Sequence, residues 1–392
     1  VPSSAPSLST DLAEPTTTTT PATPTTPTTS AAPRSSAAPP TDAPATTAAG
    51  SDFAPLLNRV RAAGLLRRRP WYYTRLIVGN LLLFAGLWAA VVRVGDSWWQ
   101  LALAPLVAVS TARTAFLGHD SGHQQITASR RASRLLGLAH GNLMIGLSEG
   151  WWNSKHNRHH ANPNHLDKDP DVGVGALVWS AEQAAERRGF ARWLTRHQAA
   201  LFFPMLLLEG FALKVAGVRD LRNRPPRQRA VEATLLLAHA AWYTALLLLV
   251  MSPIRAVAFV LVHQALFGLH LGCAFAPNHK GMPTPPAHQR WDHLRRQVYT
   301  SRSVRGGVVL DWLLGGLNYQ IEHHLFPSMP RPQLREAQPL VRAHCLALGL
   351  PYVRTGLVES YRQGLRHLRT VGAPLRARPP HAKPPRAVRR LR

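Results

Sequence analysis

Hydrophobic residues are spread very unevenly along the chain. Four runs, Leu76–Val92, Trp98–Leu117, Ala233–Met251 and Ala256–Ala276, are apolar and long enough to cross a bilayer core, which takes about 20 residues with some latitude. Arg93, Gly95 and Asp96 join the first two, and Ser252, Pro253 and Ile254 join the last two, so each pair predicts a tight helical hairpin. Arg113, near the end of the second run, is expected to reach the interface with its long side chain. A fifth apolar stretch, Ala199–Val218, is broken by Pro204, Glu209 and Lys214, and a sixth, Leu135–Leu147, is too short to cross. Both predict interfacial or re-entrant segments. With two hairpins and no fifth crossing, the amino terminus, the long middle loop and the carboxyl-terminal third share one side. Helices buried in a soluble core can also be apolar all round. Four runs in two pairs, with Trp71, Trp98 and Trp99 near the expected interfaces, fit a membrane better.

The remaining composition separates tails from this apolar middle. Ser, Thr, Pro and Ala dominate the first fifty residues, which hold too little hydrophobic bulk to offset the entropy of folding and are expected to be disordered. A glycosylated stalk is the other reading of such a composition, but it needs this end outside the cell. No short apolar run with a basic flank opens the sequence, so a cleavable signal peptide is not expected. The expected division is a tail at 1–55, a folded membrane domain at 56–360, and a basic Pro/Arg-rich tail at 361–392. A formal net charge of +26 invites a nucleic-acid partner. Its placement points elsewhere: Arg59, Arg61, Arg67, Arg68, Arg69 and Arg75 precede the first span. Basic residues flanking spans belong on the cytoplasmic side, against anionic lipid headgroups. The expectation is therefore membrane lipid and no nucleic acid, with the shared side cytoplasmic.

Cys273 and Cys345 are the only cysteines, so any metal must be held by histidine, of which there are 19. His119 and His123 follow the second span and would share a helical face; alone, this spacing is a surface coincidence as readily as a site. His156, His159 and His160 lie in WWNSKHNRHHANPNHLDKDPD, where one helical turn would bring three imidazoles together. Gln320, His323 and His324 repeat that register in NYQIEHHLFPSMPR, with Gln320 in the place of the first histidine. Seven histidines on one membrane face are too many for one structural zinc and enough for two ions with open positions, as iron needs for O2 chemistry. His239, His263 and His270 read as satisfied core residues. Asp169, Asp171 and Glu322 could orient ligand histidines or simply form turns and caps.

These three boxes resemble those of the membrane fatty-acid desaturases, in the subgroup with Gln opening the third box. The resemblance runs from about Arg59 to Arg354 and includes the box order, the WW before the second box and the DPD after it. It implies an all-α integral membrane fold of four transmembrane helices under a cytosolic helical cap that holds a di-iron site. The ligands it implies are His119, His123, His156, His159, His160, His323 and His324, with His279 of FAPNHKGM as an eighth candidate and Asn278 as a water-mediated partner. Gln320 departs from imidazole ligation, so the ion nearest it must take another ligand or a weaker one. The Gln also resembles front-end and linoleoyl-CoA-type desaturases, which often carry a fused cytochrome b5. No HPGG haem motif occurs in this sequence, so a ferredoxin-type or cytochrome b5-type donor is expected. The implied reaction uses O2 and electrons to place a cis double bond in an acyl-CoA or acyl-lipid chain, with no catalytic side chain beyond the ligands. A related hydroxylase or ketolase is the second reading. A non-catalytic membrane metal-binding protein is the third, disfavoured because the boxes lie outside the spans.

Overall fold

The computed structural model describes residues 51–285 and 289–376. The expected disordered tail, up to residue 50, and the basic tail from residue 377 lie outside the described residues. In chain order the helices are α1 (Phe53–Ala62), α2 (Pro70–Val94), α3 (Gln100–Gly122), α4 (Arg130–Gly137), α5 (Glu149–Ala161), α6 (Ala181–Ala185), α7 (Gly189–Leu206) and α8 (Glu209–Asp220). They continue with α9 (Pro226–Val250), α10 (Pro253–His279), α11 (His293–Thr300), α12 (Val308–Leu313), α13 (Gln320–Leu325), α14 (Arg331–Ala347) and α15 (Leu357–Val371). Two three-residue strands, β1 (Ser303–Arg305) and β2 (Arg354–Gly356), pair in parallel. The expected domain limits cut through structure at both ends. Helix α1 begins inside the tail drawn to residue 55, and α15 runs past residue 360.

Helices α2, α3, α9 and α10 are long and apolar enough to cross a membrane, and the four expected spans fall on them, with Trp98 and Trp99 just before α3 and Met251 just after α9. Proline opens α2, α9 and α10, where its missing N–H has no helical partner to lose. Their burial divides them: 56% and 39% of the apolar windows of α3 and α10 are buried, against 17% and 6% for α2 and α9, so α3 and α10 form the inner pair. The hairpin tips are tied together. Asp96 accepts from Ser252 N at 2.8 Å and Ser252 Oγ at 3.0 Å and pairs with Arg255. At the other end α3 and α10 continue beyond the apolar runs to Gly122 and His279. Backbone hydrogen bonding does not stop where hydrophobicity does, and this carries His119 and His279 out of the apolar layer.

The interrupted stretches do not form straight spans. Helices α7 and α8 meet at an 84° bend just after Pro204, which cannot donate to the preceding turn. Helix α8 then leans on α10 so closely that a Cβ on Gly268 would lie 2.3 Å from Gly210 N. Helix α4 runs into a π-helical turn, Leu138–Ile145, that ends at Gly146. Gly146 has φ +69°, and a Cβ there would meet the His239 ring at 2.4 Å, so both backbone and space call for glycine.

The cap packs α1, α11, α13 and α14 around Leu56, Val60, Leu294, Val298, Ile321 and Val341. Leu314 and Leu317 join it to Phe116, Phe267 and Leu271 of the inner helices. Arg302, fully buried, donates to Pro277 O at 2.6 Å and to Lys280 O, satisfying carbonyls at the end of α10 that the helix leaves open. Two sequence expectations are corrected. Arg113 does not reach lipid headgroups: it is buried, donates to Trp312 O at 2.9 Å and lies 4.1 Å over the Trp312 ring, because the cap covers that end of α3. His239 is not a core residue but a half-buried one against Leu143 O at 3.1 Å. His263 is core, held between Thr111 Oγ1 and Tyr243 Oη at 3.0 and 2.8 Å; His270, half-buried, reaches Leu313 O at 2.8 Å.

Candidate metal centre

Ser148 caps α5 by accepting from Trp151 N at 3.1 Å, which fixes where the helix starts and therefore which way His156, His159 and His160 point. Helix α3 supplies His119 and ends on His123, α10 ends on His279, and α13 supplies Gln320, His323 and His324. These four helices bring all eight candidate histidines together, each buried. They form two groups. One nitrogen from each of His119, His123, His156, His160 and His323 lies within 4.8 Å of the others, and the same holds for His159, His279 and His324. The groups adjoin, with the His160 and His324 rings stacked 4.1 Å apart.

In the three-histidine group, each Nδ1 faces an acceptor: Asp169 Oδ2 at 2.9 Å for His159, Thr300 O at 3.0 Å for His279, and Gln297 Oε1 at 2.9 Å for His324. Carboxylate and carbonyl oxygens can only accept, so each Nδ1 carries the proton and each Nε2 turns a lone pair inward. His159 Nε2 and His279 Nε2 are 3.4 Å apart, and His324 Nε2 has no partner among the described residues. The five-histidine group has the same character. His119 Nδ1 lies 3.2 Å from Asp120 Oδ1, and among the described residues its Nε2 is unpartnered and neither nitrogen of His323 has a partner. His156 Nε2 and His160 Nε2 sit 3.1 Å apart. Buried nitrogens without partners are costly, and lone pairs converging from several imidazoles are what a divalent metal satisfies. The residues therefore fit two ions. Burial, reinforced by the neighbouring imidazoles, holds His123, His156, His160, His323 and His324 well below the ordinary histidine range, and hence in the neutral form that binds metal.

Carboxylates behind the ligands are themselves anchored. Asp169 also accepts from Asn164 N at 2.7 Å and Asp171 N at 2.9 Å. Burial opposes the charge on Asp171, but Lys155, His159 and Lys280 outweigh it and hold the carboxyl below its usual range. Asp120 meets Arg331 Nη2 at 2.6 Å and accepts from Tyr73 Oη at 3.2 Å. Sequence reasoning missed Asp120, Gln297, Thr300 and Arg331. Asp120 stands inside the first box and could have been found there; the others carry no local signal. Glu322 turns away from the ligands, accepting from Ser303 Oγ at 3.1 Å and Tyr352 Oη at 2.6 Å, and burial pushes it up to about 6. Gln320 Nε2 lies 2.8 Å from His279 Nε2, placing its amide at the three-histidine group. Asn278 donates to Ala274 O at 3.0 Å and to Gln320 Oε1 at 3.3 Å, while its own Oδ1 is unpartnered.

A narrow apolar cavity of about 40 Å³ opens beside the five-histidine group, lined by His119, Ala115, Phe116, Trp152, Leu271 and Phe275 among others. Trp152 stacks on His156 with ring centroids 5.0 Å apart, so one side chain forms both cavity wall and metal-site wall. Glu149 is the one carboxyl at its edge; burial and Glu232 push it up to about 7.

Compared with known proteins, residues 96–356 match the profile of the family described as fatty acid desaturase. The chain is 32% identical over 322 residues to fatty acid desaturase 3 of Bos taurus, covering 79% of this chain and 70% of that one. It is 28% identical over 341 residues to the Delta(6)-fatty-acid desaturase fat-3 of Caenorhabditis elegans, covering 83% and 76%. Against the acyl-lipid (9-3)-desaturase of Physcomitrium patens it is 29% identical over 317 residues, 78% of this chain but 60% of the moss protein's length.

Proposed function

The chain belongs to the fatty acid desaturase family, and from that premise we propose that its eight clustered histidines would hold two iron ions beside an acyl chain that enters the adjoining cavity. The protein is a membrane oxidoreductase, a fatty-acyl desaturase. His119, His123, His156, His160 and His323 would hold one ion, and His159, His279 and His324 the other, with the Gln320 amide beside the second. Iron in such a site supplies the O2-dependent redox chemistry that breaks unactivated C–H bonds. Overall, two hydrogens leave adjacent methylenes, a cis double bond forms, and O2 with two electrons and two protons yields two waters.

The chain's own residues position and exclude. Phe116, Leu271 and Phe275 offer the acyl chain an apolar wall, and His119 and Trp152 bring that wall to the metal site. Removing water strengthens every electrostatic contact inside and suppresses side reactions. Asp169 and Asp120 hold the ligand rings in one tautomer. The substrate is an acyl-CoA or acyl-lipid, and the electron donor is of ferredoxin or cytochrome b5 type, drawn by the basic surface. Arg67, Arg68 and Arg69 directly precede α2, and Arg130, Arg131 and Arg134 lie in α4 shortly after α3, which supports a cytoplasmic cap and cytoplasmic termini.

The carrying observation is the convergence of eight buried imidazoles beside an apolar cavity. The test is gas chromatography–mass spectrometry of total fatty acids from a host that expresses a compatible donor and either the wild type, His160→Ala or His323→Ala. A new cis double bond found with the wild type alone is expected. A hydroxylated product, or an unchanged profile with verified expression, would overturn the reading.

A further inference from the structure

Helix α8 is a half-length helix, bent 84° away from α7, with a marked polarity. Its first turn rests on α10 at Gln264 and Gly268, the latter eleven residues and roughly 17 Å of helix before His279, inside the apolar run. Its last turn leads through Asn223 directly to Pro226, the start of α9, at the level where that span leaves the cap. Between α8 and the start of α5 runs an open groove whose floor is Trp151, Leu208, Phe211 and Val215 and whose outer end carries Arg219 and Arg222. Leu208 and Val215 are 64% and 47% exposed.

The charge at that outer end is uncommitted. Asp220 is the acidic residue of the groove, and it is engaged by Arg224 and by Asn223 Nδ2 at 3.1 Å. Among the described residues neither Arg219 nor Arg222 has an ion-pair or hydrogen-bond partner, although both are exposed. Two guanidiniums three residues apart suit an anionic oxygen group such as phosphate. The apolar floor extends from them toward the membrane interior for roughly 17 Å, the rise of the eleven residues from Leu208 to Arg219.

We propose that this groove is a binding site for one anionic glycerophospholipid, its phosphate on Arg219 and Arg222 and one acyl chain along Leu208, Phe211 and Val215. The orientation follows from the depth of each end: the cations lie at headgroup level and the apolar residues below it. Such a lipid covers the exposed face of α8 and braces Trp151, the neighbour in sequence of the Trp152 that lines the apolar cavity. The helix so braced is α5, which carries His156, His159 and His160. The lipid is a resident one, distinct from the acyl substrate, and its binding requires neither metal nor turnover.

The test is native mass spectrometry of the full chain released from micelles that contain equimolar phosphatidylglycerol and phosphatidylcholine. The wild type should retain one phosphatidylglycerol. Arg219→Gln/Arg222→Gln should weaken that retention by roughly tenfold or more, while Arg130→Gln/Arg131→Gln, with the same charge loss at another exposed pair, should not. Val215→Ser should weaken it through the tail alone. These are exposed positions, and an unchanged thermal midpoint in detergent confirms that each variant folds. Equal retention by the Arg219/Arg222 variant, equal loss in the Arg130/Arg131 control, or equal retention of phosphatidylcholine would overturn the proposal. Displacement by millimolar inorganic phosphate with no effect of Val215→Ser would identify a free-phosphate site and overturn the lipid assignment.

Discussion

His159 shows how much of this site is made behind the ligands. Its Nδ1 is held by Asp169, and Asp169 is held by two backbone amides, so the ring has one tautomer and one direction before any metal arrives. His119 has the same arrangement through Asp120, which is pinned by Arg331 and Tyr73. Such carboxylates raise ligand basicity and fix orientation, and losing one costs about 10- to 100-fold in metal affinity. Asp169→Asn should therefore lose iron to a competing chelator at 10 to 100 times lower chelator concentration than the wild type. Iron content by atomic emission would measure this, with Asp167→Asn, an exposed carboxylate in the same loop, as the unchanged control. Equal iron retention by Asp169→Asn would reduce Asp169 to a loop-forming residue. At this scale the box histidines were legible because their spacing is local. Gln297 and Thr300 were not, since their only claim is that the fold sets an oxygen 2.9 or 3.0 Å from a ligand nitrogen.

Among the helices, the apolar runs announced their own positions, and the short polar connections announced the hairpins. Hydrophobicity could not show where those helices end, because the last turns of α3 and α10 are polar yet helical. Nor could it show that α8 folds back against α10. That contact rests on Gly210 and Gly268, whose backbones approach so closely that a Cβ on Gly210 would lie 2.4 Å from Gln264 O. Small residues are the usual means of bringing membrane helices this near. Gly268→Ala should force the two backbones apart and lower stability by about 1–3 kcal/mol, the ordinary cost of overpacking, read as a lower thermal midpoint in detergent. Gly79→Ala, where nothing lies within 4 Å, should leave the midpoint unchanged or slightly raised. A tolerated Gly268→Ala would mean that α8 is held elsewhere.

Across the whole molecule, the eight clustered histidines come from residues 119 to 324 and from both hairpins and the cap. Two ions bound there would tie these elements together, and a ligand that binds only the folded state adds stability, about 4 kcal/mol at a thousandfold excess over Kd. Stripping iron with a chelator should therefore lower the thermal midpoint and speed proteolysis within the cap, with α2 and α9 remaining helical by circular dichroism; restored iron should reverse both. An unchanged midpoint would mean that the imidazole cluster is held by packing alone. The sequence by itself determined the four spans and the three histidine boxes, because each is a short-range pattern of residue type against helical period or bilayer thickness. Only the tertiary structure decided how the histidines divide into five and three, that Arg113 is covered by Trp312, that Glu322 faces Ser303 and Tyr352, and which walls form the apolar cavity. Those facts depend on which distant segments meet, and no local pattern encodes a distance between residues that are far apart along the chain.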